Sequence, residues 1–199
     1  MSVPIVPRTS DTPADPTMAA ATGPMLGGSF VAGGPIDACG IEFYPDSWDI
    51  IGTELWRYVV AHEVWHCMQF DAASDVRHVL DGARWVLEGQ AEFASFTVAP
   101  SDRDWPWGIW LGEPEMGLFE REYTAIGLYA VAEQGGADVW HLMLDMLGEP
   151  NRDGLELLFG TPAEDAMTAV AQALVREPPL GAAWESTGPG IISKRGATL

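Results

Sequence analysis

The feature that most constrains the fold of this chain is the pentapeptide HEVWH at residues 62–66. It lies in a run with helical signals from Leu55 to Phe70. Residues four positions apart share a helix face, so His62 and His66 can hold one metal ion. Two imidazoles suit zinc, and the intervening glutamate is close enough to act on a water bound to the metal. A catalytic zinc site also needs a third protein ligand, which the rest of the chain must supply.

The residues after the second histidine exclude the metzincin pattern HExxHxxGxxH. The glycine position of that pattern holds Gln69, and its last ligand position holds Ala72. The next candidates are carboxylates on the following helix, and Glu88 is one of them. A break at residues 81–82, Asp-Gly, gives the chain room to reverse. The two helices can therefore run antiparallel, with Glu88 facing the histidines.

The segment WVLEGQAE at residues 85–92 completes a more specific pattern. HExxH followed about twenty residues later by W-[LV]-x-E-G-x-A-E resembles the gluzincin metallopeptidases of the thermolysin and aminopeptidase N type, and in particular their small peptidase-MA-like domains. The resemblance covers roughly residues 36–176. It implies an α+β, mostly helical, zincin-like fold. Such a fold has a minimal N-terminal sheet lobe, a helical C-terminal lobe and an active-site helix that carries HExxH.

The resemblance also implies a role for each site residue. Its Zn²⁺ ligands map onto His62, His66 and Glu88. Glu63 would be the general base, and Glu92 would be a carboxylate that orients a zinc-binding histidine. Tyr123 would donate a hydrogen bond to the developing oxyanion. His141 is predicted to be a partly buried helix histidine rather than a second donor, and Tyr129 is predicted to be in the core.

The predicted function is that of a zinc-dependent metallopeptidase, which hydrolyses a peptide or protein substrate through a zinc-activated water. One alternative is a catalytically inactive zincin-like binding module with a structural zinc, in which a fourth ligand such as Cys67 closes the coordination site. Another is an all-helical interaction protein with a chance HExxH, which predicts that His62 and Glu88 lie far apart. Gluzincin sheets normally provide an edge strand for peptides, and the N-terminal part of this chain is short for such a sheet.

Charge limits the choice of partners. The net charge is −19, from 29 acidic residues against 10 Lys and Arg, so nucleic acid and anionic membranes would repel this chain. No apolar run reaches the roughly 18 residues of a transmembrane helix, so no membrane span is predicted. Residues 1–16 lack the pattern of a signal peptide. The chain is therefore predicted to be cytoplasmic as written, or secreted if the frame begins upstream; its oligomeric state stays open.

The two cysteines, Cys39 and Cys67, are too few for a disulfide framework. They could pair with each other or both be buried thiols. Cys67 directly follows a candidate ligand on the helix, so buried thiols are the favoured interpretation.

The chain is expected to divide into a disordered lead at 1–24, a single zincin-like metallopeptidase domain at 25–177 and an irregular tail at 178–199. A glycine-rich segment at 25–35 predicts a turn between short strands, and Ile41–Tyr44 predicts a strand. Helices are predicted from Ser47 or Asp49 to about Phe70 or Ala73, and at about 83–96, 119–134, 138–147, 154–159 and 162–176.

A long loop is predicted at 101–118, between the second and third helices. It contains three tryptophans, Trp105, Trp107 and Trp110. Their rings could line an apolar substrate pocket or act as a lid, or they could pin the loop to the core.

Overall fold

The structure, a computed structural model, describes residues 5–7, 20–26, 29–30, 38–73, 75–99, 105–113 and 115–175. Helices account for most of these residues, which confirms the mostly helical class. The strands are β1 Ile5–Pro7, β2 Ala20–Leu26, β3 Ser29–Phe30 and β4 Ala38–Phe43. The α-helices are α1 Glu54–Ala72, α2 Val76–Leu80, α3 Arg84–Val98, α4 Trp105–Gly112, α5 Ile126–Gln134, α6 Val139–Leu142, α7 Asn151–Phe159 and α8 Ala163–Val175.

The four strands form one sheet in the order β1-β4-β2-β3. β4 pairs in parallel with β1, where Ile41 lies opposite Ile5, and antiparallel with β2. β2 pairs antiparallel with β3, and the paired residues 25–26 and 29–30 lie in the segment 25–35 that was expected to be a turn between short strands. Within the segment 1–24, expected to be a disordered lead, the structure describes β1 and the first five residues of β2 as strand. The rest of the lead and the tail at 178–199 lie outside the described residues.

Helix α1 begins later than its sequence suggested. Ser47 and Asp49, the predicted caps, lie instead in a 3₁₀ turn at Pro45–Ile50. Gly52, with φ of 85°, separates this turn from α1, since a left-handed residue cannot continue a helix. Thr53 then caps α1: its side-chain oxygen accepts a hydrogen bond from the backbone N–H of Trp56 at 3.1 Å.

Helix α3 is deeply buried, with every residue from Trp85 to Phe96 buried. It runs antiparallel to α1, because Tyr58 contacts Phe96 at one end of the pair while Gln69 contacts Leu87 at the other. The predicted antiparallel arrangement is thus confirmed. A helix that is buried on nearly all faces needs neighbours on all sides, and α1, α5 and the turn at Tyr123–Ala125 supply them.

The long loop expected at 101–118 is partly helical, because it contains α4. Trp107 and Trp110 of α4 are 1% and 0% exposed, and the Arg121 guanidinium carbon lies 4.5 Å from the centre of the Trp110 ring. Two of the three tryptophans therefore pin this segment to the core, as the second interpretation proposed. The Trp105 side chain lies outside the description.

The remaining helices follow the predicted positions with interruptions. The helix expected at 119–134 consists of 3₁₀ turns at Leu118–Glu120 and Tyr123–Ala125 followed by α5, since Glu122 has non-helical φ and ψ of −108° and −104°. The helix expected at 138–147 is α6 followed by a 3₁₀ turn at Leu144–Met146. One core joins β4 to all the helices up to α8. Among the described residues, no helix is both long and apolar enough to cross a membrane.

A disulfide joins Cys39 of β4 to Cys67 of α1, so the interpretation as buried thiols is wrong. The sheet lies against α1 and brings the two Cα atoms to 5.5 Å, within the range that a disulfide spans. This proximity arises from tertiary packing across 28 residues and is not visible in the sequence. Cys67 is consequently not available as a fourth metal ligand.

Candidate metal centre

Three buried side chains converge between α1 and α3. His62 Nε2 lies 3.3 Å from Glu88 Oε2 and 3.1 Å from His66 Nε2, and His66 Nε2 lies 3.4 Å from Glu88 Oε2. Four-coordinate zinc with bonds of about 2.1 Å holds its ligand atoms about 3.4 Å apart. The three atoms therefore have the spacing of one face of a tetrahedron, and the group could hold a metal ion. The large separation of His62 and Glu88, which the hypothesis of a chance HExxH predicts, is therefore not found.

Glu88 is held as a carboxylate. Burial raises its pKa, but hydrogen bonds and charge from His62 and His66 lower it much more, so the net pKa lies well below its usual value. Its second oxygen, Oε1, forms an ion pair with Arg84, which lies one helical turn earlier; the guanidinium nitrogen is 2.9 Å from Oε1. Arg84 also lies 3.6 Å from the Glu122 carboxylate. Glu88 thus presents one oxygen to the two histidines and the other to the guanidinium group of Arg84.

His66 binds a proton more readily than an ordinary histidine. Burial lowers its pKa, but the hydrogen bond and charge of Glu88, the charge of Glu63 and a hydrogen bond to Gln69 together raise the pKa above its usual value. The centre therefore attracts positive charge, whether from a proton or from a metal ion.

The predicted general base, Glu63, is buried on α1 within the field of this centre. Its negative charge raises the pKa of both His66 and Tyr123. Glu63 therefore lies near enough to His66 and to Tyr123 for its charge to act on both. A base that removes a proton from water at the centre needs such a position.

Tyr123, the predicted oxyanion donor, lies at the same centre. Its ring stacks on that of His62, with centroids 5.8 Å apart and planes 26° apart. Burial first, and then the charge of Glu88, raise the pKa of Tyr123 well above its usual value, although Arg84 opposes this shift. The hydroxyl therefore keeps its proton and remains a hydrogen-bond donor at all ordinary pH values.

The two other predicted residues differ in their placement. The Glu92 carboxylate is 1% exposed and lies 3.8 Å from His62 Nδ1, on the side of the ring away from the ligand atoms. His141 lies on α6 but is exposed, so the expectation of partial burial is wrong. Tyr129 is fully buried, as predicted, and its hydroxyl donates to the backbone carbonyl of Trp85 at 3.2 Å.

Three residues around the centre, Arg84, Gln69 and Gln90, are not among the site residues predicted from the sequence. The spacing of Arg84 and Glu88 at i and i+4 is a readable signal for an ion pair. Gln69 stands where the metzincin pattern has a glycine, and it lies one helical turn after His66. Gln90 gave no signal, because only packing brings it to α1.

A separate apolar cavity of about 460 Å³ lies on the opposite side of α1. Its walls include Val64, Met68, Val98 and Trp140, and they include none of the three candidate ligands. The cavity is therefore not the space that the three candidate ligands face.

Comparison with models of known protein families, with curated proteins and with solved structures found no match for this chain.

Proposed function

We propose that this protein is a zinc-dependent metallopeptidase with a gluzincin-type centre in a zincin-like domain. The observation that carries the proposal is the convergence of His62, His66 and Glu88, with Glu63 beside them in the same buried site. Two imidazoles and one carboxylate are a donor set that suits catalytic zinc. The sequence resemblance at residues 85–92 supports the same assignment, since it selects Glu88 as the third ligand.

The ligand count favours catalysis over a purely structural metal. Catalytic zinc sites keep three protein ligands and one open position, whereas structural sites are closed by a fourth ligand. Cys67, the obvious fourth donor next to His66, is bound to Cys39. Among the described residues, the group contains two histidines and one glutamate only.

Each residue has a defined task in the proposed reaction. When bound, zinc supplies Lewis acidity that activates water and polarises a carbonyl group. The Glu63 carboxylate accepts a proton from the attacking water and passes it to the nitrogen of the leaving amine. The Tyr123 hydroxyl donates a hydrogen bond to the carbonyl oxygen as negative charge develops there. Glu92 holds the His62 ring in place from its Nδ1 side.

Metal analysis and a digest of a peptide library, with and without a chelator, test this proposal. We expect about one zinc per chain and cleavage that stops with the chelator. Glu63→Gln keeps the shape of the side chain but removes the base, so turnover should fall by roughly 100-fold to 10,000-fold while the zinc content is unchanged. A protein that binds no zinc, or a Glu63→Gln variant as active as the unmodified chain, would contradict the proposal.

A second candidate is a zincin-like binding module with zinc but without turnover. It is favoured by the small size of the sheet in the described part of the chain, where the edge strands β1 and β3 have three and two residues and offer little backbone to an extended peptide. Stoichiometric zinc together with an uncleaved peptide library would select this candidate.

A further inference from the structure

On the side of its ring away from Glu88, His66 contacts a chain of buried amide groups. Its Nδ1 atom, on the side of the ring away from Glu88, lies 2.8 Å from Oε1 of Gln69. Gln69 in turn contacts Gln90, and both glutamine side chains are completely buried. A buried amide is costly unless its donors and acceptor are all satisfied, so the orientation of each one matters.

The backbone fixes the orientation of Gln69. Its Nε2 atom lies 3.0 Å from the carbonyl oxygen of Leu87 and 2.9 Å from Oε1 of Gln90. A carbonyl oxygen can only accept, so the NH₂ group of Gln69 must face Leu87. Its Oε1 atom must then face His66 and act as an acceptor there.

The orientation of Gln90 is fixed independently. Its Nε2 atom lies 2.6 Å from the carbonyl oxygen of Met143, at the end of α6. Its Oε1 atom faces the indole nitrogen of Trp65 at 3.4 Å, and an indole N–H can only donate. Oε1 of Gln90 therefore accepts from Trp65 and from Gln69, in agreement with the orientation that Leu87 imposes.

We propose that Gln69 and Gln90 form an amide relay that fixes His66 in the Nδ1–H tautomer and thereby makes Nε2 its metal-binding atom. Because Oε1 of Gln69 can only accept, Nδ1 of His66 must carry the proton that it donates. The lone pair of the neutral ring is then on Nε2, which faces His62 and Glu88. The relay anchors a ligand of α1 to the backbone of α3 and to the end of α6.

The relay makes Gln69 and Gln90 positioning residues, which act through His66. The proposal rests on the metal centre of the proposed function but not on peptidase activity. Outer hydrogen bonds of this kind typically change metal affinity by about 10-fold to 100-fold, because they set the tautomer and the orientation of the ring.

The test compares three variants of the full chain: Gln69→Leu removes the acceptor, Gln69→Glu keeps an acceptor at that place, and Gln134→Leu alters an exposed glutamine at the end of α5. Zinc affinity is measured by competition with a chelating dye at temperatures where each variant is folded. Gln69→Leu should lose about 10-fold to 100-fold in affinity. Gln69→Glu should recover only a part of that loss, because its second oxygen replaces the NH₂ group that donates to Leu87 and Gln90. Gln134→Leu should leave the affinity unchanged.

A second readout does not need turnover or a bound metal. Long-range ¹H–¹⁵N spectra of the histidine rings, recorded on metal-free protein at alkaline pH, report the tautomer of His66. We expect Nδ1–H in the unmodified chain and a mixture of tautomers in Gln69→Leu. An Nε2–H tautomer in the unmodified chain, or unchanged affinity and tautomer in Gln69→Leu, would overturn the relay. A chain that shows Nδ1–H but cleaves no peptide would contradict the proposed function alone.

Discussion

Glu88 divides its two carboxylate oxygens between two sets of partners. Oε2 faces the imidazoles of His62 and His66, whereas Oε1 pairs with Arg84. The negative charge of Glu88 therefore serves the ligand set directly, and Arg84 limits how the carboxylate can rotate. At the scale of single residues, the charge and orientation of this one group determine what the centre attracts.

Glu88→Gln should lower zinc affinity by roughly 100-fold or more, because an amide of the same shape supplies no negative charge. The measurement is zinc competition with a chelating dye, and circular dichroism would verify that the variant is folded. Glu156→Gln, which changes a glutamate in an exposed i,i+4 pair with Arg152, is the matched control and should not alter affinity. Equal zinc affinity in Glu88→Gln would exclude Glu88 as a ligand.

The pKa shifts of His66 and Glu88 predict how pH acts on the metal-free protein. The pKa of His66 is raised above 6.5, so its contribution to stability is full below pH 6.5 and is lost as pH rises through the folded-state value. The pKa of Glu88 is lowered below 4.5, so its contribution is full above pH 4.5 and is lost as pH falls further. His66 and Glu88 together should stabilise the metal-free protein most between pH 4.5 and pH 6.5.

With zinc present, the stability of the protein should rise, rather than fall, as pH increases through the folded-state pKa of His66. A ligand histidine must be neutral, so zinc displaces the proton of His66 and its affinity rises with pH. Thermal melts with and without zinc, together with calorimetry in buffers of different ionisation enthalpy, measure both effects. Binding at pH 6.5 without release of a proton would contradict this prediction.

At the scale of elements, the site depends on how closely α3, α4 and α5 approach. Gly89 of α3 lies against Ala125, where an added Cβ atom would come within 2.8 Å of the Ala125 Cβ. Gly127 of α5 lies against the ring of Trp110, and a Cβ atom there would overlap the ring. These two contacts hold the turn that carries Tyr123 beside α3, and so position the tyrosine at the metal centre.

Gly127→Ala should therefore destabilise the fold by about 1–3 kcal/mol, through overpacking against a buried tryptophan. Gly108→Ala, at an exposed position of α4 with open space around the added Cβ atom, is the control and should be neutral or stabilising by up to about 1 kcal/mol. Urea denaturation followed by tryptophan fluorescence compares the two. Equal stabilities would show that α4 and α5 can separate without cost.

Elements with strong local signals were predicted from the sequence, and elements that need tertiary contacts were not. α3, α7 and α8 have regular apolar spacing or clear caps and stops, and they lie close to their predicted positions. α1 ends where it is predicted to end but begins later. α4 was predicted as loop because Pro106, Gly108 and Gly112 disfavour a helix locally. Burial of Trp107 and Trp110 outweighs that local preference, and no local rule reports such burial.

The same distinction applies to the candidate site. His62, His66 and Glu88 were identifiable because their chemistry follows from sequence spacing and from one family pattern. Gln90 and the partner of Cys67 were not identifiable, since each depends on a chain segment that comes close only in the folded protein. The sequence thus predicts the ligands of a centre more readily than the groups that hold those ligands in place.

At the scale of the whole molecule, the Cys39–Cys67 disulfide joins the sheet to the helical part. Disulfides of this kind typically form and persist in an oxidising environment. Closing a loop of 28 residues should stabilise the fold by about 3–4 kcal/mol, chiefly by restricting the unfolded chain.

Protein purified without reductant should accordingly show no free thiol after denaturation. The double variant Cys39→Ala, Cys67→Ala should unfold about 3–4 kcal/mol more easily, yet it should keep one zinc per chain because neither sulfur is a ligand. Thiol titration, urea denaturation and metal analysis measure the three outcomes. Two free thiols in the denatured protein would contradict the disulfide, and loss of zinc from a folded double variant would show that the disulfide is required for the centre.

The disulfide also makes residues 39–67 a closed covalent ring, and this ring contains His62, Glu63 and His66. An exposed stretch at residues 48–49 and 51–52 lies within the ring. A protease that cuts the backbone there divides the chain into two fragments but leaves them one molecule. Both halves of the centre, α1 and α3, remain on the same fragment and stay attached to β4. The nicked protein should migrate as a single species until it is reduced, with its metal-binding group still assembled.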